Sequence, residues 1–317
     1  MKKLTICSKI LLKKSQNFVG VQMKIKNIEL NERTRDRIRG LMFLAPSVLG
    51  VTAFFIVPFG VVVYYSVIDG VSSARFVFLD NFVKLFQNSA FLLAAKNTLS
   101  FSVIAVPLAV VLALALALML ESRIPMKSEF RTFFLSPMMV PVASVVLIWQ
   151  VLFNYNGTVN VFLMLFGADK IDWLLSDHAQ FVVILLFLWK NLGYNMILFM
   201  ASLANIPKEL LEVADVEGAG ELYKFFAIKL RYLSPTVLFV TILSLINSFK
   251  VFREVYLLTG DYPYETLYML QHFMNNTFRS LDYQKLSAAA VVMAIVMVII
   301  IAILFAVEDW FGKDVEG

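Results

Sequence analysis

Residues 97–120 read Asn97-Thr-Leu-Ser-Phe-Ser-Val-Ile-Ala-Val-Pro-Leu-Ala-Val-Val-Leu-Ala-Leu-Ala-Leu-Ala-Leu-Met-Leu120, without a single charge. At about 1.5 Å per residue a helix of this length reaches about 36 Å, more than the roughly 30 Å hydrocarbon core of a bilayer. The run is therefore read as a membrane-crossing helix. Working outward, five more runs qualify: residues 41–68, 132–153, 179–203, 232–258 and 286–307. The first contains Pro46 and Pro58, which point to tilt or a kink. The fourth carries Lys190 inside it, and the last third of the fifth holds Lys250, Arg253 and Glu254. Across the 317 residues, 60% are hydrophobic and 16% charged, against about 25% charged in soluble chains. The expected fold is all-α and polytopic, with six transmembrane helices.

An even number of spans puts both termini on one side. Residues 1–40, 121–131, 205–231 and 308–317 together carry 19 Lys and Arg, against 6 in residues 69–96, 155–178 and 259–285. The richer set, including Arg33, Arg35, Arg37 and Arg39 beside the first span, is expected in the cytoplasm. The formal charge of +5 then reflects topology and anionic lipid, not nucleic acid. The expected organisation is a basic cytoplasmic segment over 1–40, a transmembrane domain over 41–307 and a cytoplasmic tail over 308–317. Lys9, Lys13 and Lys14 break the resemblance of the N-terminus to a signal peptide, and Met23 is an alternative start. One cysteine, Cys7, and two histidines, His178 and His272, leave little from which to build a metal site.

The polar segment of residues 205–231 is too elaborate for a simple connector. Pro207 suits a first helical turn. Leu210, Leu211, Val213, Ala214 and Val216 alternate with acids at 209, 212, 215 and 217 in a short amphipathic helix. Gly218-Ala219-Gly220 permits a positive-φ turn. A second amphipathic stretch follows, with Leu222, Phe225, Phe226 and Ile228 able to dock while Lys224, Lys229 and Arg231 reach water or lipid phosphate.

This segment resembles the cytoplasmic loop of ABC-importer permeases, whose pattern is E-A-A, three residues, G, nine residues, I, one residue, L-P. Glu212-Val213-Ala214, Gly218, Ile228 and Leu230 stand at the matching places; Val213 replaces the first Ala and Arg231 the Pro. Leu203-Ala-Asn-Ile-Pro207, Leu233-Ser-Pro235, Asn247-Ser-Phe-Lys-Val-Phe252, Leu258-Thr-Gly260, Gly157-Thr-Val-Asn160 and Trp173-Leu174 extend the likeness to the carbohydrate-uptake branch, maltose and glycerol-3-phosphate importers included. The resemblance implies a type I importer permease in a bacterial cytoplasmic membrane, importing a sugar or sugar derivative. It implies four kinds of partner: a second permease subunit, two ATP-binding subunits that carry ATP and Mg, an extracytoplasmic solute-binding protein and the sugar cargo. Coupling to the ATPase would run through Glu212, Ala214, Gly218, Ala219, Ile228 and Leu230. Arg231 in place of Pro leaves the second helix free to run on into span five.

An ion near the bilayer centre costs on the order of 3 kcal/mol on insertion scales, so Lys190 is expected to face the bundle interior or a watery cavity. Trp189, Gly193 and Met196 share one face of the fourth span; Ser244, Ser248 and Val251 share one face of the fifth, with Asn247 adjacent. By resemblance to the maltose importer, a sugar pocket would draw on Trp189, Asn191, Gly193, Ser244, Asn247, Ser248 and Val251, with Lys190 beside them. The plainer alternative is that Ser, Asn and Gly pack helices together. Lys250 and Glu254 can pair at i, i+4, and with Arg253 they are expected to snorkel at the outer interface. No phosphate-loop, nucleophile-elbow or HExxH motif appears, so the chain is expected to be no enzyme. Two other functions fit less well: a permease for glycerol 3-phosphate or a related anionic organophosphate, and an ion-coupled secondary transporter.

Overall fold

The computed structural model describes residues 32–70, 74–121 and 126–312. The expectations for Cys7, Met23, the basic clusters of residues 1–31 and the last five residues lie outside them. The described residues are helical almost throughout, their one β feature being an isolated bridge between Ile68 and Phe76. In chain order the helices are α1 (Glu32–Val51), α2 (Val57–Ser66), α3 (Asp80–Phe86), α4 (Ser89–Glu121), α5 (Lys127–Met139), α6 (Val142–Leu152) and α7 (Thr158–Leu165). Then come α8 (Ala179–Leu203), α9 (Lys208–Val216), α10 (Glu221–Lys224), α11 (Leu230–Lys250), α12 (Phe252–Thr259), α13 (Leu270–Arg279) and α14 (Tyr283–Gly312).

Five continuous helical stretches are long and apolar enough to cross a membrane: Arg39–Ser66, Ser89–Glu121, Ala179–Leu203, Glu221–Thr259 and Tyr283–Asp309. They fall on five of the six expected runs. The third expected span departs from expectation, because residues 132–153 do not form one rod. Helices α5 and α6 meet at 99°, and counting the bent pair as one span gives six. Pro141 supplies the cause. It cannot donate to a continuing helix, and its ring drives the preceding residue out of the helical region; Val140 accordingly sits at φ −84°, ψ 132°.

The described residues fall into two units, divided between Val61 and Val62. In the first, α1 leads into one wide π-helical turn, Thr52–Ile56, a local unwinding that precedes Pro58. Its apolar side chains, Phe43, Phe54 and Phe55 among them, are exposed.

In the second unit α4 and α8 lie side by side, with α11 against both and α5 against α8. Ala105, Ala109, Ala113 and Ala117, four residues apart on α4, are all fully buried. Such a stripe of small residues lets neighbouring helices approach closely where lipid offers no hydrophobic drive for association. Gly193 on α8 does the same toward α5, since a Cβ there would overlap the Phe134 carbonyl. The polar side chains of α8 then form a ladder to the α11–α12 rod. Thr236 bonds Ser202 at 2.9 Å, Asn195 bonds Ser244 at 2.9 Å, and Asn247 bonds Asn191 at 3.0 Å. The last rung is the ion pair between Lys190 and Glu254. Ser248 turns the other way, to Ser102 of α4 at 2.9 Å.

The outer-loop motifs also have a structural account. Asn160, fully buried on α7, donates to the carbonyls of Tyr155 (2.9 Å) and Ile171 (2.7 Å). Its side-chain oxygen accepts from the Ile171 amide (3.2 Å) and the Trp173 indole (3.0 Å). One amide thus closes the whole loop, and Trp173 packs edge-on against Phe153. At Gly157 a Cβ would strike the carbonyl oxygens of Val151, Leu152 and Asn154.

Candidate functional site

Two places combine polar chemistry with an arrangement beyond simple packing: the loop between α8 and α11, and a cavity between α8 and the α11–α12 rod.

In the loop, α9 begins directly after Pro207, which stands at the N-cap position without a side-chain cap. Ile206 is buried and Leu211 half-buried against the core of α4, α8 and α11, and Ala214, three residues on from Leu211, is buried as well. The opposite face is open: Glu212 is exposed, Val213 is 57% exposed and Val216 90%. The helix closes in a Schellman motif. The Gly218 amide donates to Asp215 (3.1 Å) and the Ala219 amide to Ala214 (2.9 Å). Gly218 takes φ +77°, a conformation that penalises every residue with a Cβ. The chain then re-enters a helix at Glu221 and runs through one π-helical turn, Phe225–Lys229, into α11 without a break, as Arg231 in place of Pro allows.

Lys224 fixes the angle between the two arms. Only 7% exposed, it reaches Asp215 on α9 and Glu221 on α10, each at 2.5 Å. Its burial was not legible as such in the sequence, which reads it as a charge for water or lipid. The signal available was the acid nine residues upstream across a glycine turn. Ile228 packs toward the core and Leu230 lines a separate cavity with Leu304 and Val307 of α14.

The cavity between α8 and the α11–α12 rod has a volume of about 390 Å³, within the usual range of small-molecule sites. Apolar walls come from Met138, Leu186, Phe187, Leu243 and Val251. Its polar lining is Lys190, Asn191, Tyr194, Asn247, Lys250, Arg253 and Glu254. On the rod, 243, 247, 250 and 254 follow i, i+4, i+7, i+11 and therefore form one stripe; on α8, 187, 190, 191 and 194 do likewise.

Of the pocket residues expected from sequence, the cavity collects Lys190, Asn191, Asn247 and Val251. The other four lie outside its lining. Ser244 and Ser248 are 1% exposed with their hydroxyls bonded to neighbouring helices. Gly193 is a helix contact, and Trp189 packs against Trp149 with ring centres 5.2 Å apart and planes tilted by 42°. The three charges at the end of span five also differ from expectation. Glu254 is 6% exposed and pairs with Lys190 on another helix, not with Lys250. Its second carboxylate oxygen, Oε2, is buried without a donor. Lys250 and Arg253 line the same cavity, and neither has an acidic partner among the described residues.

Residues 105–317 match the family described as binding-protein-dependent transport system inner membrane component. Among curated relatives, the sn-glycerol-3-phosphate transport system permease protein UgpA of Escherichia coli O6:K15:H31 is 31% identical over 265 residues, covering 82% of this chain and 90% of that protein. The probable ABC transporter permease protein YesP of Bacillus subtilis is 29% identical over 287 residues, covering 87% and 92%. Among solved structures, a bacterial ABC transporter involved in the import of the acidic polysaccharide alginate superposes with TM-score 0.74 at 23% identity, covering 87% of this chain and 96% of that one. The alginate transporter in complex with its alginate pentasaccharide-bound periplasmic protein gives 0.75 at 22% identity, covering 89% and 97%. Fold and family agree with the resemblance carried by residues 205–231. The chain belongs to the binding-protein-dependent transport system inner membrane components, and is a multi-pass permease of an ABC importer.

Proposed function

We propose that this chain supplies one of two permease subunits of an ATP-driven importer for a sugar or sugar derivative. Two ATP-binding subunits hydrolyse ATP, and an extracytoplasmic binding protein delivers cargo. Residues 1–40 and 308–317 lie in the cytoplasm with the 205–231 loop, and residues 41–307 form the transmembrane domain. The observation that carries this reading is the capped helix α9. It is anchored on one face and bare on the other, with Val213 and Val216 presented beside Glu212. A loop that only joined two spans would not keep large apolar side chains in water on a rigid, ion-paired support. Lodged in a groove of an ATP-binding subunit, α9 transmits the closure of the ATPase pair to α11 through the unbroken helix that follows Gly220. Glu212 forms the contact beside Val213 and Val216, Gly218 and Ala219 with the buried Ala214 form its pivot, and Ile228 and Leu230 seat the second arm.

Cargo passes the cavity between α8 and the α11–α12 rod, where Asn191, Asn247 and Tyr194 offer hydrogen bonds to hydroxyl groups and Phe187 offers an apolar ring face. The proposal is tested by purifying the chain with its neighbouring gene products and reconstituting the complex in vesicles. Saccharide uptake that requires ATP and the binding protein is expected. Isolation as a solitary protein whose uptake ignores ATP would reject it in favour of a secondary transporter.

A further inference from the structure

The cavity carries more charge than recognition of a neutral sugar requires. Lys190, Lys250 and Arg253 line it against one acid, Glu254, leaving a formal excess of two positive charges. Lys190 neutralises Glu254 through its Oε1 alone. Lys250 and Arg253 are left as two cations facing one space, five hydrogen-bonding side chains around them if Lys190 and Glu254 are counted with Asn191, Tyr194 and Asn247. Both side chains are exposed, and two cations three residues apart on one rod, lining one partly apolar cavity, favour an anion there. The second independent observation is Glu254 itself. It is more than nine-tenths buried, and Oε2 lacks any donor, although a buried carboxylate oxygen normally has one. Oε2 has almost no accessible surface, so a ligand hydroxyl reaches it only when the side chains around the Lys190–Glu254 pair give way.

Resting on the sugar-import reading above, we propose that this cavity selects an acidic cargo: a sugar or polyol bearing one carboxylate or phosphate. Lys250 and Arg253 hold the anionic group. The polar end of the cavity reads hydroxyls through Asn191, Asn247 and Glu254. Arg253 is suited to the two oxygens of a carboxylate or phosphate through its planar fork, and Lys250 acts as a point charge. A neutral sugar of equal size would enter the cavity with the two cations still unneutralised. The Lys190–Glu254 pair keeps the acid from folding over onto Lys250 and Arg253, so that the anion site stays open for cargo.

The test uses the assembled importer in nanodiscs without its binding protein, so that any discrimination belongs to the permease pair. Equilibrium binding is measured for glucuronate, galacturonate and sn-glycerol 3-phosphate, and for the neutral partners glucose, galactose and glycerol. At least one acid is expected to bind about tenfold or more tightly than its neutral counterpart, the scale of one charge-assisted hydrogen bond. K250Q/R253Q is expected to bring that ratio toward one. The uronates and the glycerol phosphate distinguish a carboxylate cargo from a phosphate one. Equal affinity for acid and neutral forms in the unmodified complex overturns the proposal, and that comparison decides even where the double variant fails to assemble. A neutral sugar bound preferentially overturns it too, with the sugar-import reading intact. Binding of none of the six, joined with ATP-dependent uptake of a non-saccharide, would overturn both.

Discussion

Gly218 and Gly220 allow the lever role of the loop to be tested by changing one backbone angle. A Cβ at either position would meet nothing within 4 Å. Gly218 sits at φ +77° and Gly220 at φ −69°. An L-residue at the first position is therefore strained for reasons of conformation alone, and at the second it is not. Alanine at 218 costs about 1–2 kcal/mol, and a β-branched valine toward about 3 kcal/mol. The strain is relieved by opening the two Schellman hydrogen bonds, Gly218 to Asp215 and Ala219 to Ala214, each worth about 1 kcal/mol net. The turn, and not the helix bundle, is the weakest link. At tenfold per about 1.4 kcal/mol, the correctly closed turn loses about one order of magnitude in G218A and about two in G218V, relative to its open form.

The assay is the ratio of cargo taken up to ATP hydrolysed by the reconstituted complex. G218V is expected to hydrolyse ATP while uptake falls severalfold or more, G218A to fall between it and the unmodified chain, and G220A to behave as unmodified. Co-purification of the ATP-binding subunits with each variant separates loss of coupling from loss of assembly. A G218V complex with an unchanged ratio would refute the lever role. So would a G220A complex as impaired as G218V, because loop flexibility in general, and not the turn at 218, would then be at fault.

The remaining expectations concern stability. Asn160→Ala removes four hydrogen bonds from a buried loop keystone and is expected to cost about 2–4 kcal/mol, read as a lowered unfolding midpoint in detergent, with proteolysis opening first in residues 155–178. Gly193→Ala places a Cβ on the Phe134 carbonyl and is expected to force α5 away from α8, with a loss of about 1–3 kcal/mol; unchanged thermal stability would contradict the packing described. Removing one member of the Lys190–Glu254 pair leaves a charge uncompensated and should cost about 3–5 kcal/mol, whereas the double variant K190M/E254M should be less unstable than either single one. His272 is buried, and that burial lowers its pKa from 6.5 to about 4. It stays neutral in the folded protein while an unfolded chain takes up its proton below about pH 6.5, so its contribution is complete above that pH and is lost between pH 6.5 and 4. The loss approaches about 3 kcal/mol, and H272Q should flatten the acid limb of a melting-temperature profile in that window.

How much of this was legible in the sequence depends on what a one-dimensional pattern can encode. Apolar length located five spans, two of them despite internal charges, because the bilayer core demands about 20 predominantly apolar residues. Residues 132–153 count as a sixth span only as a bent pair, a corner that Pro141 dictates and composition does not reveal. The loop was legible down to the positive φ of Gly218, since short-range turn chemistry is written in neighbouring residues. Lys224 was not, because its burial depends on two acids that only the folded turn brings to it.

The pocket shows the limit most sharply. Successive residues on a helix point about 100° apart, so a stripe chosen one position away from the true one faces a different neighbour altogether. Ser244 and Ser248 carry the more sugar-like hydroxyls, yet bury them in contacts with α8 and α4, and of their stripe Val251 alone reaches the cavity. The adjacent stripe 243, 247, 250, 254 faces the cavity. Taken from sequence, Lys250, Arg253 and Glu254 count as interfacial charges because they lie near the end of a span. What moves them from the rim to the cavity is Lys190, an ion that a lone helix could not keep near the bilayer centre without a partner. Had the search begun by asking which acid could neutralise Lys190, Glu254 would have stood out as the acid inside the apolar runs, and its own helical stripe would have led to Asn247 and Lys250. Intramembrane charges are thus better read in pairs across helices than one at a time along the chain.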